Sequence, residues 1–332
     1  MRRGIQEDLR QRLMEAHSEG HCLVATSPSD SRRLRKALQR GDLVSPARGV
    51  FALPEIWDKL KPRPREWQKL QALAILHPDW VFAHASAAVL HGLYVSNRLL
   101  GPVHIAIERN SWSRSTASVV RHVVEKDEPV RIGNAMATSL TRTAFDCLRT
   151  YDFRCALAIA DSTLRFGNIE QNVLTDAFGA FDGRNAGAWR ATQIAKWANP
   201  LSENGGESIA RAVMIEEGFR VPELQVLIPS PTDPGDEYRV DFFWALHSGD
   251  VAGELDGREK YRNPAMTGGR DVVDVLADER LRESRLTGTN AKVLRFSYGQ
   301  VMRPKEFHHL LLSYCVPDGY PVPDVAKRSL SR

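Results

Sequence analysis

The sequence predicts an α+β N-terminal half joined to an α/β C-terminal domain. Three observations carry that expectation. The first half interleaves amphipathic helical periods with short alternating runs. The last third places a helix start at residues 202–211 ahead of strand-like runs at 238–244, 251–257 and 292–296, with a helical stretch at 275–286 before the last of them. Between them, Asp182-Gly183-Arg184-Asn185-Ala186-Gly187 and Asn199-Pro200 supply the turn residues of a boundary. A chain of 332 residues is long enough for two or three domains.

Composition narrows the function classes. Hydrophobic content of 42% and charged content of 26% are ordinary for a globular protein. No apolar run approaches the roughly 20 residues a bilayer requires, so no membrane partner is expected. The N-terminus, Met1-Arg2-Arg3-Gly4-Ile5-Gln6-Glu7-Asp8, lacks an apolar signal core, which predicts a cytoplasmic location. The cysteines Cys22, Cys147, Cys155 and Cys315 form no CxxC pair, which argues against a zinc site. Cys147 and Cys155 lie in apolar helical stretches and are expected to be core thiols.

In chain order, residues 5–17 read as a helix with Leu9, Leu13 and Met14 on one face. The short apolar piece 22–25 follows, and Ser29-Asp30-Ser31 offers N-cap chemistry for a second helix reaching Gln39. Leu34 and Leu38 face inward on it, while Arg32, Arg33, Arg35 and Lys36 cover the remaining surface. Gly41 ends that helix. Residues 43–53 read as two strands with a turn over Pro46-Ala47-Arg48-Gly49. Helix, basic helix, hairpin is the order of a winged helix-turn-helix. The net charge of +4 is too small to identify a nucleic-acid partner, but the clustering of Arg32, Arg33, Arg35, Lys36, Arg40 and Arg48 points to a DNA-contacting face. Residues 54–64 read as a connector. Helices are expected at 66–76, 86–91, 141–148 and 154–164, with strands at 103–107 and 118–122. His84 and His91, seven apart, are two potential metal ligands, but packing and capping roles are favoured because two ligands do not close a site.

The stretches Arg40-Gly41-Asp42-Leu43 and Arg48-Gly49-Val50-Phe51 resemble the winged-helix part of AbiEi-type antitoxins. Phe82-Ala83-His84-Ala85-Ser86-Ala87-Ala88-Val89-Leu90-His91-Gly92-Leu93 and Thr141-Arg142-Thr143-Ala144-Phe145-Asp146 resemble that family's following domain. The likeness covers about the first half of the chain and implies DNA binding and a toxin or other protein partner. Residues 22–29 leave little room for the middle helix of the motif.

The chemistry gathers in the last third. Asp241 lies inside the apolar run Tyr238-Arg239-Val240-Asp241-Phe242-Phe243-Trp244, and Glu254 inside Val251-Ala252-Gly253-Glu254-Leu255-Asp256-Gly257. Acids in strand-like apolar runs are costly to bury unless they serve a site. Two carboxylates on successive strands suit magnesium or manganese, which takes oxygen ligands, and Glu207 on the preceding helix is a third candidate. Such a metal neutralises charge and generates hydroxide for phosphodiester hydrolysis.

These residues resemble the PD-(D/E)xK superfamily, and its Vsr-like endonucleases in particular, over about residues 203–311. Glu207, Asp241, the Glu254-Leu255-Asp256-Gly257 run, Leu281 and Val293-Leu294-Arg295-Phe296 carry the likeness. It implies a restriction-endonuclease-like α/β domain with a mixed sheet flanked by helices, metal at Asp241 and Glu254 with Glu207 near, and DNA as substrate. The family's lysine two residues after the second acid is Asp256 here; Lys260 is the nearest replacement, and Arg258 the next. The domains are expected at 1–60 (winged helix), 65–185 (α+β), 199–315 (nuclease-like) and 316–332 (tail). The other reading is a non-enzymatic, antitoxin-like transcriptional regulator with a degenerate nuclease fold.

Overall fold

The computed structural model describes residues 7–109, 114–125, 127–181, 187–230, 235–256 and 291–327. The chain divides into two compact units, Met1–Tyr151 with Phe166–Ala195, and Asp152–Arg165 with Lys196–Arg332. Each combines helices with one sheet of mixed strand direction, and the first also holds a small antiparallel sheet.

The first unit begins with α1 (Glu7–Ser18), β1 (Leu23–Val24), α2 (Pro28–Gln39), β2 (Val44–Ala47) and β3 (Val50–Ala52). The strands form a sheet of order β1-β3-β2, antiparallel throughout. Leu9, Leu13 and Ala16 of α1 pack on Leu34 and Ala37 of α2, with Leu43, Phe51 and Leu53 closing the core. The sequence reading placed the α2 cap two residues late. The cap is Ser27, whose side chain accepts from Asp30 N, with Pro28 at the first helical position. A proline there loses no helical hydrogen bond, so the helix starts earlier than the Ser29-Asp30-Ser31 run suggests. Asp30 instead takes two hydrogen bonds from Arg12, at 2.9 and 2.7 Å.

The stretch read as a connector contains α3 (Pro54–Trp57), and α4 (Pro62–Leu76) opens four residues before the expected start. Beyond it come β4 (Val81–Phe82), α5 (His84–Leu90), β5 (Val103–Ile107), β6 (Val119–Val123), β7 (Val130–Ile132), β8 (Ala135–Ala137) and α6 (Leu140–Thr150). The five strands order as β6-β5-β4-β8-β7; β5/β6 and β4/β8 are parallel, β4/β5 and β7/β8 antiparallel. In α6, Asp146 is fully buried between Arg142 and Arg149, which donate at 2.8 and 2.9 Å.

Helix α7 (Phe153–Gly167) contributes to the second unit through Arg165; α8 (Gln171–Ala180) and α9 (Ala188–Ala195) complete the first. The second unit continues with α10 (Gly205–Glu216), β9 (Glu223–Pro229), β10 (Glu237–Trp244), β11 (Val251–Asp256), β12 (Lys292–Ser297), α11 (Tyr298–Val301) and α12 (Pro304–Ser313). Its sheet has order β12-β11-β10-β9, antiparallel except for the parallel β11/β12 pair. On one face Phe242 packs on Phe296 and Phe296 on Phe307 of α12. Gly253 leaves room here: a Cβ would stand 3.1 Å from Phe242 Cβ and from the Trp244 ring, so both would have to shift. Arg211 of α10 donates to both oxygens of fully buried Asp161 on α7, at 2.6 and 2.8 Å, and Asn199 N adds a third hydrogen bond. Among the described residues no helix is long and apolar enough to cross a membrane.

Candidate active site

The candidate acids of the second unit lie at the start of α10 and on the two central strands of its sheet. Asn204 caps α10 by accepting from Gly206 N and Glu207 N, which fixes the helix start and with it the place of Glu207. The Glu207 carboxylate accepts from Glu203 N at 2.7 Å, from Asn204 Nδ2, and from Gln225 Nε2 at 3.3 Å. Burial pushes its pKa up to about 7; the Glu203 amide opposes that, while the Asp241 charge raises it further. Glu207 and Asp241 therefore sense one another electrostatically.

Gln225 lies across from Asp241 in the β9/β10 pair. The ladder is interrupted at this position, although Val226↔Val240 and Leu224↔Phe242 keep the same register on either side. Gln225 has φ 54°, a left-handed conformation that a non-glycine residue adopts at a cost of about 1–3 kcal/mol. Its Oε1 is buried with no hydrogen-bond partner among the described residues.

On the other side of Asp241, Phe242 pairs with Gly253. Continuing by one step sets Asp241 opposite Glu254, and facing residues of a pair project to the same side. Asp241 Oδ2 accepts from Leu255 N at 2.9 Å, so the carboxylate occupies the place of the next ladder bond. Glu254 pairs with Arg295 across the parallel β11/β12 ladder, and the guanidinium stands 3.2 Å from Glu254 Oε2. Asp256, two residues after Glu254, shares its side of β11.

Asp241 and Glu254 are thus neighbours on adjacent strands, an oxygen-only pair suited to a hard divalent cation. The buried, unbonded Gln225 Oε1 beside Glu207 is a further oxygen of the right kind. The oxygens of Glu207 are engaged by Glu203, Asn204 and Gln225. Among the described residues no group of three or more His, Cys, Asp or Glu side chains is placed to hold a metal ion. A cation here would rest on two carboxylates and water, as magnesium commonly does. Lys260, Arg258 and Leu281 lie outside the described residues.

Arg32, Arg35 and Lys36 of α2 are exposed, as is Arg48 in the β2–β3 turn, and none makes an ion pair among the described residues. Arg33 differs: it is half-buried and held by Asp8 at 2.6 Å. Arg40 is likewise paired, with Asp42 at 2.8 Å.

Sequence reasoning missed a histidine cluster. His91 contacts Thr138 O at 2.8 Å. The His84 ring stacks on His122 at 3.6 Å between centroids, and His104 Nδ1 lies 2.9 Å from His122 Nε2. Burial, then mutual repulsion, pushes His84 well below its usual pKa and His104 down to about 4; burial also lowers His122. Only the alternation on β5 and β6 could have brought His104 and His122 together, and it says nothing of their register.

No family model matches the chain. Two uncharacterized proteins of Mycobacterium tuberculosis, MT2308 of strain CDC 1551 / Oshkosh and Rv2248 of strain ATCC 25618 / H37Rv, are each 28% identical over 235 residues, which is 70% of this chain and 81% of theirs. Among solved structures, the RV2827C protein from Mycobacterium tuberculosis aligns with a TM-score of 0.33 at 18% identity, covering 68% of this chain and 82% of that one.

Proposed function

We propose that the second unit is a metal-dependent endonuclease-like domain that hydrolyses DNA phosphodiester bonds, and that the first unit binds DNA through α2 and the β2–β3 hairpin. One observation carries the first part: Asp241 and Glu254 stand side by side on adjacent strands, with the buried acid Glu207 close enough for Asp241 to raise its pKa. The described element order α10, β9, β10, β11, β12, with its single parallel pair at the end, supports a restriction-endonuclease-like reading. Asp241 and Glu254 would hold magnesium or manganese. The bound cation supplies a nucleophilic hydroxide near neutral pH and a counter-charge for the phosphate. Glu207, its pKa pushed up to about 7 by burial, carries less negative charge near neutral pH than an exposed carboxylate and holds Gln225 by accepting from its amide.

For the first unit, the sheet order β1-β3-β2 with α2 leading into the hairpin supports a winged-helix reading, one helix short of the three-helix form. Arg32, Arg35 and Lys36 would meet phosphates along the groove and Arg48 from the wing. The test is cleavage of plasmid and oligonucleotide DNA with and without magnesium or manganese. Cleavage that needs the metal and vanishes in Glu254→Gln supports the reading; metal-independent or absent cleavage removes it.

The second reading, a DNA-binding regulator whose second unit has lost catalysis and serves a protein partner, is favoured by one observation. Asp256 occupies the position where the nuclease family carries its lysine. Sequence-specific DNA binding without cleavage would decide for it.

A further inference from the structure

We propose that Arg295 is the phosphate-binding cation of this site, supplied from β12 in place of the charge that Asp256 denies to β11. The inference rests on the hydrolase reading above. Glu254 and Arg295 are register partners in the parallel β11/β12 pair. Facing residues in such a pair project to the same side of the sheet, so the guanidinium is delivered to the side that carries Asp241 and Glu254. Its side chain is 25% exposed and that of Glu254 14% exposed, at a separation of 3.2 Å. The group is therefore open enough to exchange partners and shielded enough for its charge to count.

The site has two carboxylates for a cation and needs a positive group on the phosphate that is independent of it. With Glu254 uncompensated, Arg295 balances its charge. With Glu254 neutralised by a divalent cation, the planar guanidinium is released toward a phosphate, whose oxygens it matches in pairs. In hydrolysis a bond forms from water oxygen to phosphorus as the bond to the leaving deoxyribose oxygen breaks. One water proton goes to solvent and one to that leaving oxygen. Arg295 gives and takes no proton; it stabilises the charge that accumulates on the non-bridging oxygens.

The experiment compares the full-length wild type with Arg295→Gln and Arg295→Lys by calorimetric manganese titration and by magnesium-dependent plasmid cleavage, with circular dichroism to confirm folding. Arg295→Gln should bind manganese about fivefold more tightly, because Glu254 loses its competing cation. It should also cleave at least about a hundredfold more slowly, the usual loss for one preorganised donor. Arg295→Lys should retain the charge and recover part of the rate. Arg295→Gln cutting as fast as a wild type that needs Glu254, or binding manganese no more tightly than that wild type, overturns the proposal while leaving the hydrolase reading intact. A wild type that binds manganese and cuts no DNA removes the hydrolase reading and the catalytic role of Arg295 together. If Arg295→Gln does not fold, Arg295→Lys decides: binding and cleavage equal to Glu254→Gln, which cannot hold the cation, overturn the proposal.

Discussion

At Glu207 three forces meet: burial, the amide of Glu203, and the charge of Asp241. Their balance leaves a carboxyl with a pKa near 7 against 4.5 when exposed. The folded state therefore keeps a proton that the unfolded chain releases between those two values. Stability from this group is full below about pH 4.5, falls as pH rises through the window, and stays low above about pH 7. Glu207→Gln keeps an acceptor for Glu203 N without the charge, so its melting temperature should exceed that of the wild type at about pH 8.5 and approach it at about pH 4.5. A constant offset across that range would sink this account of Glu207. Asp161 is a second buried carboxylate, held by Arg211 and Asn199 N. Burial raises its pKa, and the Arg211 charge and hydrogen bonds oppose that. Asp161→Ala strands the guanidinium that anchors α10 and should cost about 3–5 kcal/mol in urea unfolding; less than about 1 kcal/mol would show that Arg211 finds another partner. Residue chemistry of this kind was only partly legible in sequence. Asp241 and Glu254 stood out because acids interrupt apolar alternation. Arg295 did not, because its meaning depends on lying opposite Glu254 in a parallel pair whose register no local pattern encodes.

Elements with strong periodicity were readable, and those shaped by tertiary contact were not. Helix α2 showed its two faces plainly, and the structure keeps Arg32, Arg35, Lys36 and Arg48 exposed while Asp8 draws Arg33 aside. If α2 and its hairpin bind DNA, Arg32→Ala, Arg35→Ala and Arg48→Ala together should reduce the slope of log affinity against log salt by about three, near one for each phosphate contact. Arg33→Ala should change it far less, and equal effects would move the interface elsewhere. Strand β9 escaped the sequence reading although Leu224, Val226 and Ile228 alternate, because Gln225 and the prolines around it look like loop. Strands β4, β7 and β8 are only two or three residues long. Such strands exist because neighbours complete their hydrogen bonds. The β4–β5–β6 region also gathers His84, His104 and His122, with Arg142, Asp146 and Arg149 of α6 acting on them. Their folded pKa values lie below 6.5, so the unfolded chain takes up protons first as pH falls. The stability they confer is complete above about pH 6.5 and is lost toward pH 4. Calorimetric melts should show the first unit weakening between about pH 6.5 and 4, less so in His122→Gln; a melt indifferent to pH would contradict the buried, neutral state of the cluster.

For the whole molecule, the sequence marked a boundary near residues 182–200, and contacts divide the chain into two units that interleave along it. Residues 152–165 belong with the C-terminal unit and 166–195 with the first. A reading along the chain assigns consecutive residues to consecutive domains and has no means of seeing that Asp161 pairs with Arg211, fifty residues later. The alternation of helices and strands was legible from the spacing of apolar runs; strand direction and strand order were not. Function at this scale reduces to whether Asp241 and Glu254 together hold a divalent cation. The most direct measurement is a calorimetric titration of the full-length protein with manganese in the presence of DNA, repeated on Asp241→Asn and Glu254→Gln. The account predicts a binding isotherm for the wild type that both substitutions abolish while the circular dichroism spectrum is retained. No manganese binding by the wild type, or binding that survives both substitutions, would contradict it.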